Sequence, residues 1–160
     1  RNGHLKWKAV YQPGKVVAIG YKNGKRIMTK IIETTKPSYQ TVLKADRQEI
    51  TADGRDLAII TVEVQDQKGR IVPDACPLLN FRLEGDARIL GVGNGDPMYL
   101  GQDHPNNINC KEFSIPAFNG LAQVIVQSTE KTSEITLNCL SDGLKTGHVR
   151  IVSLSKSTSL

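Results

Sequence analysis

The chain is predicted to be all-β: an antiparallel β-sandwich, preceded by a three-stranded fragment of another sandwich domain. Three observations carry that prediction. Apolar residues recur at every second position in most ordered-looking segments, the period of a half-buried strand. Turn chemistry built on Asn, Asp, Gly and Pro separates these segments at short intervals. No stretch of 11 or more residues has a helical apolar face.

The first elements lie in residues 4–34. LKWKA sets Leu5, Trp7 and Ala9 on one face, and KVVAIGY does the same with Val17, Ile19 and Tyr21. Asn23-Gly24 is the strongest short hairpin signal in the chain, because a type I′ turn needs φ > 0 at both central residues. After it Ile27, Thr29 and Ile31 alternate with polar or charged residues. The result is a three-stranded meander, too small to build an independent core. Residues 1–36 are therefore read as the C-terminal strands of a truncated upstream domain plus a linker, with the boundary at TTKPSY around Pro37. Trp7, in an alternating strand, reads as core or interdomain filler.

From residue 37 to 155 the strands resume. TVLKADRQ turns Leu43 and Ala45 inward and TADGRD (51–56) is a turn. LAIITVEVQD alternates Ile60, Val62 and Val64 with Thr61, Glu63 and Gln65. After a turn at Lys68-Gly69, LLNFRLEG puts Leu79, Phe81 and Leu83 opposite Asn80, Arg82 and Glu84. ARILGVGN is a short strand leading into a long polar loop that ends near Asn109. KEFSIPAF is a strand that Pro116 keeps from a central place in a sheet. LAQVIVQST, SEITLNCLSD and GHVRIVSLS complete the set, and residues 156–160 are a polar tail. About seven strands with turns between them are the pattern of an immunoglobulin-type sandwich.

Composition narrows the function. The net charge of +5 suggests a nucleic-acid partner until it is divided. Residues 1–36 hold nine basic and one acidic residue, a net +8, whereas residues 37–160 hold twelve and fifteen, a net −3. A nucleic-acid reader carries its basic face on its own folded domain, so no nucleic-acid partner is expected. No run of about 20 apolar residues exists to span a membrane, and RNGHLKWK lacks the apolar segment of a signal peptide. Cys76, Cys110 and Cys139 lack the close pairing of a metal site. Cys139 reads as a buried strand thiol, and Cys76 and Cys110, both in loops, are left open as a pair.

GVGNGDP (91–97) looks like a phosphate cradle, but a cradle needs the glycine turn to open a helix. Pro97 and a polar loop follow instead, so Gly91, Gly93 and Gly95 read as a turn or bulge. Asn94, Asp96 and Asp103 offer oxygen ligands to a hard cation such as Ca²⁺, at a spacing unlike an EF-hand. No other cofactor is expected. His104, beside Asp103, is the only histidine with a polar neighbour. Tyr99, with Asp96, Asp103 and His104, is the aromatic placed as a sugar platform or interdomain contact.

LKWKAVYQPGKVVAIGYKNGK resembles the end of the penultimate sandwich domain in bacterial β-galactosidases of glycoside hydrolase family 2. ADRQEITADGRDLAIITVEVQDQKGRIVPDA, GVGNGDP and FNGLAQVIVQST, in this order, are similar to the C-terminal immunoglobulin-like domain of the same enzymes. The resemblance covers most of residues 5–145. It departs at Met98–Pro105, where the family continues with small and polar residues. It implies a parent that hydrolyses terminal β-galactosides with retention through two glutamates of a central barrel; no segment here matches that barrel, so no catalytic residue carries over and the fragment is not expected to be an enzyme. It implies a non-catalytic accessory domain whose partners are the barrel and other domains, and a periplasmic or secreted bacterial location. Two alternatives stay open: a carbohydrate-binding module using the 96–109 loop, and an adhesin-like immunoglobulin repeat of a cell-surface protein. The strand edges of residues 4–34 are expected to pair, in a homodimer or by docking onto the 39–155 domain.

Overall fold

The computed structural model describes residues 3, 4 and 6–155. The chain divides into two compact units, 1–35 and 36–160. In the first, β1 (Lys15–Lys22) and β2 (Lys25–Glu33) form an antiparallel hairpin. Asn23 and Gly24 make the turn with φ of 50° and 73°, as a type I′ turn requires. At the open end Thr34 N–H donates to the Gly14 carbonyl at 2.8 Å, and Gly14 N–H donates to Thr34 Oγ1 at 3.0 Å.

The expected third strand is not found among the described residues. Residues 6–12 carry no strand, Leu5 lies outside the described residues, and Trp7 is 74% exposed rather than core filler. The reason is that alternation supplies a face but no partner. A strand persists only where a neighbour takes up its backbone N–H and C=O groups.

The second unit is a sandwich of nine strands. One sheet holds β3 (Gln40–Ala45), β5 (Leu57–Gln65), β9 (Leu121–Ser128) and β7 (Ala87–Gly93), in the order β3-β5-β9-β7. The other holds β4 (Glu49–Thr51), β11 (Gly147–Leu154), β10 (Ser133–Leu140), β6 (Leu78–Glu84) and β8 (Glu112–Pro116), in the order β4-β11-β10-β6-β8. All pairings are antiparallel except β11 with β4. The count exceeds the expected seven partly because β4 is three residues long, too short to show a period. It exists because its backbone lies beside Val152–Leu154.

The inward faces follow the alternation. Ile60, Val62, Val64, Val124 and Val126 from one sheet meet Leu79, Phe81, Ile135, Leu137 and Ile151 from the other, all buried. Cys139 joins them, and burial pushes its thiol up to about 12. Cys76 and Cys110 are free thiols, with the Cys110 Sγ donating to the Glu112 carbonyl at 3.1 Å. Pro116 ends β8, an edge strand, as its missing N–H demands.

Two polar groups tie the unit together. Thr41, 3% exposed, sits on β3 but donates its hydroxyl to the Cys139 carbonyl of the opposite sheet at 3.1 Å and accepts from Gly147 N–H at 2.8 Å. Asp66, fully buried, accepts from the backbone N–H groups of Lys36, Lys68 and Arg70 at 2.9, 2.9 and 3.1 Å. The Arg70 guanidinium also holds it, at 2.6 Å. Asp66 thus fastens the start of this unit to the turn after β5.

Candidate functional site

The GVGNGDP stretch runs out of β7, which bulges between Ile89 and Gly91, into the loop that crosses from one sheet to the other. Of its glycines only Gly95 has positive φ, 75°. Asn94 Oδ1 accepts from Asp96 N–H at 3.0 Å, Asp96 Oδ1 accepts from Met98 N–H at 2.9 Å, and Tyr99 N–H donates to the Asp96 carbonyl at 3.2 Å. Asn94 Nδ2 donates to the Pro116 carbonyl at 3.0 Å, pinning the turn to β8. These are side chains of Asx turns, in which Asn94 Oδ1 and one Asp96 carboxylate oxygen each accept a backbone N–H. Among the described residues no group of three or more His, Cys, Asp and Glu is placed to hold a metal ion.

Farther along, the Asp103 carbonyl accepts from Val92 N–H at 2.7 Å, folding the loop back onto β7. The Asp103 carboxylate and His104 Nδ1 lie 2.6 Å apart, both largely exposed. That hydrogen bond holds the Asp103 carboxyl below the usual aspartate value. Asp96 caps the turn through one carboxylate oxygen, and the Asp103–His104 pair is largely exposed.

Tyr99 has other company. It packs partly on the core, its ring lies beside the Gly101 backbone, and its hydroxyl is 3.5 Å from the Gln102 carbonyl. With Gln102 it forms one side of a cleft of about 540 Å³. The rest is built by neighbouring strands of the second sheet: Asn80, Phe81 and Arg82 of β6, Glu112, Phe113 and Ser114 of β8, and Leu140 of β10. The register explains the grouping, since Leu140 pairs with Asn80, Asn80 with Ser114, and Arg82 with Glu112. Ser114 Oγ donates to Asn80 Oδ1 at 2.7 Å. Arg82 Nε stands 3.8 Å from a Glu112 carboxylate oxygen, beyond hydrogen-bond length, with the two side chains 66% and 73% exposed. The sequence shows that Asn80 and Arg82 share a face of one strand. It carries no signal that β8 lies beside that strand, so this half of the cleft exists only through the pairing of β6 with β8.

Comparison with known proteins accounts for the architecture. Residues 42–150 match the glycoside hydrolase family 2 C-terminal domain 5, and residues 1–28 match a domain of unknown function, DUF4982. A β-galactosidase of Bacteroides ovatus is 35% identical over 150 residues, which is 94% of this chain and 17% of that protein. A β-glucuronidase of Formosa agariphila is 30% identical over 146 residues, 90% of this chain and 14% of that protein. The crystal structure of a glycosyl hydrolase family 2 member from Bacteroides cellulosilyticus superposes with a TM-score of 0.84 at 32% identity, covering 93% of this chain and 18% of that one. The chain therefore spans about a sixth of the length of these relatives. With more than half its residues matched by the C-terminal domain and a sandwich that superposes on a solved relative, this chain belongs to glycoside hydrolase family 2.

Proposed function

We propose that these residues are a non-catalytic accessory region of a longer β-galactosidase, which cleaves terminal β-galactosides with retention at a site outside them. The observation that carries this reading is the 35% identity to 17% of a β-galactosidase, in a segment matching a C-terminal domain. The use of the acidic side chains here supports it. Asp46, Asp56 and Asp66 accept backbone N–H bonds, and Glu63 is held by Lys44 and Gln65. A retaining glycosidase instead needs two carboxylates about 5 Å apart flanking a sugar.

The domain's work in this reading is packing against the catalytic domain and its neighbours. The hairpin supports the same idea: Val16, Ile27, Ile31 and Ile32 expose more than half their surface, an apolar area suited to burial in the complete protein. Its strand edges would pair with neighbouring strands, either of the same protein or of a second copy.

The test compares the complete protein with the 160-residue chain on aryl β-galactosides and β-glucuronides. The expected result is galactoside hydrolysis by the complete protein and none by the chain. Hydrolysis by the chain, or a complete protein that cleaves only glucuronides, would overturn the proposal.

A further inference from the structure

The cleft below Tyr99 has a chemistry that packing against a neighbour does not require. In it, Asn80, Arg82, Glu112 and Ser114 present an amide, a guanidinium, a carboxylate and a hydroxyl in two adjacent rows of β6 and β8, and Phe81, Phe113 and Leu140 add apolar surface. Its wall presents the Tyr99 ring and the Gln102 amide. Arg82 and Glu112 face each other at 3.8 Å without closing a hydrogen bond, so the donors of one and the acceptors of the other stay available. Asn80 Oδ1 is taken by Ser114, which fixes the amide so that its Nδ2 is left as the donor. The volume of about 540 Å³ lies within the range of small-molecule sites.

We propose that this cleft binds a neutral saccharide, one or two rings in size. Sugar hydroxyls both donate and accept, so they are met best by donors and acceptors set side by side, as Arg82 and Glu112 are. The C–H face of a sugar ring is apolar and suits the exposed part of Tyr99. The opposite charges of Arg82 and Glu112 cancel within the cleft, which favours an uncharged ligand over a uronate. The strand register sets the backbones of four of the polar groups side by side, and the Ser114–Asn80 bond orders two of their side chains before a ligand arrives. This inference does not depend on the accessory-domain reading: the cleft would bind sugar whether or not the longer protein is a galactosidase.

The test is a titration of the 160-residue chain, with amide chemical shifts as the readout and galactose, lactose and glucuronate as probes. Saturable shifts centred on residues 80–82, 99–102 and 112–114 with galactose or lactose are expected. Glu112→Gln and Arg82→Gln change exposed side chains and leave the fold intact; each is expected to weaken binding about tenfold, the loss of one charge-assisted hydrogen bond. Glu134→Gln, on an exposed position of β10 outside the cleft, should bind as the unaltered chain does. The proposal fails if no shifts appear at up to about 50 mM sugar, a concentration that would detect even the weakest specific site. It fails equally if the shifts lie elsewhere, if both cleft variants bind unchanged, or if glucuronate alone binds.

Discussion

Replacing Thr41 by valine isolates the polar bridge between the two sheets. The substitution keeps the shape and removes the hydroxyl. Two hydrogen bonds go with it, to the Cys139 carbonyl at 3.1 Å and from Gly147 N–H at 2.8 Å. The strands cannot separate to admit water, because the backbones touch here: a Cβ on Gly147 would come within 2.3 Å of the Thr41 carbonyl oxygen. The Gly147 N–H is therefore left facing a methyl group. One lost bond is worth about 1 kcal/mol net, and a stranded buried donor costs about 1–3 kcal/mol, so Thr41→Val should cost roughly 2–4 kcal/mol. In a domain of this size that lowers Tm by roughly 10 °C. Thr41→Ser keeps the hydroxyl and loses one methyl, a cost of about 1 kcal/mol. Thermal and urea unfolding of the full chain should rank the unaltered protein first, serine next and valine last. Valine equal to or more stable than serine would refute the bridge, since burial of apolar surface would then outweigh both hydrogen bonds.

Other perturbations follow from the same structure. Gly120 has φ of 75° and its Cβ would meet the Val72 carbonyl at 2.4 Å, so Gly120→Ala should lower the urea midpoint by well over the ordinary Gly-to-Ala effect of about 1 kcal/mol. Leu137 is fully buried at the centre of β10, and Leu137→Ala should cost about 3 kcal/mol by equilibrium unfolding. Arg70, and then the backbone donors, hold Asp66 far below the ordinary value of 3.8. Its folded pKa is depressed, so its stabilisation is complete above that value and is lost as pH falls below it toward the folded pKa. The urea midpoint should drop from pH 5 to pH 2, and Asp66→Asn should lower the midpoint at pH 7 and flatten that profile; an unchanged profile would count against the clamp. Cys76 is exposed while Cys139 is fully buried with its thiol raised to about 12, so a thiol reagent should modify Cys76 quickly and Cys139 only on unfolding.

The alternation in LAIITVEVQD and LLNFRLEG was enough to assign which side chains face the core, because a strand reverses its face at every residue whatever lies beside it. Asn23-Gly24 and Pro116 were equally legible, since φ > 0 and a missing N–H are local properties. Other features answer to neighbours. Glu63 and Gln65 alternate as outward polar residues, yet both are buried, because Gln65 Nε2 bonds Glu63 at 2.6 Å and Lys44 of β3 lies over Glu63 at 2.7 Å. Residues 6–12 alternate and form no strand, for want of a ladder. The cleft shows the division most clearly. Asn80, Arg82 and Tyr99 are each readable as surface groups in the sequence, but Ser114 and Glu112 lie some thirty positions away and join Asn80 and Arg82 only through the pairing of β6 with β8. Local period determines the face of a strand. The choice of neighbouring strand is a long-range agreement among backbone hydrogen bonds and core packing, and only the folded chain makes it.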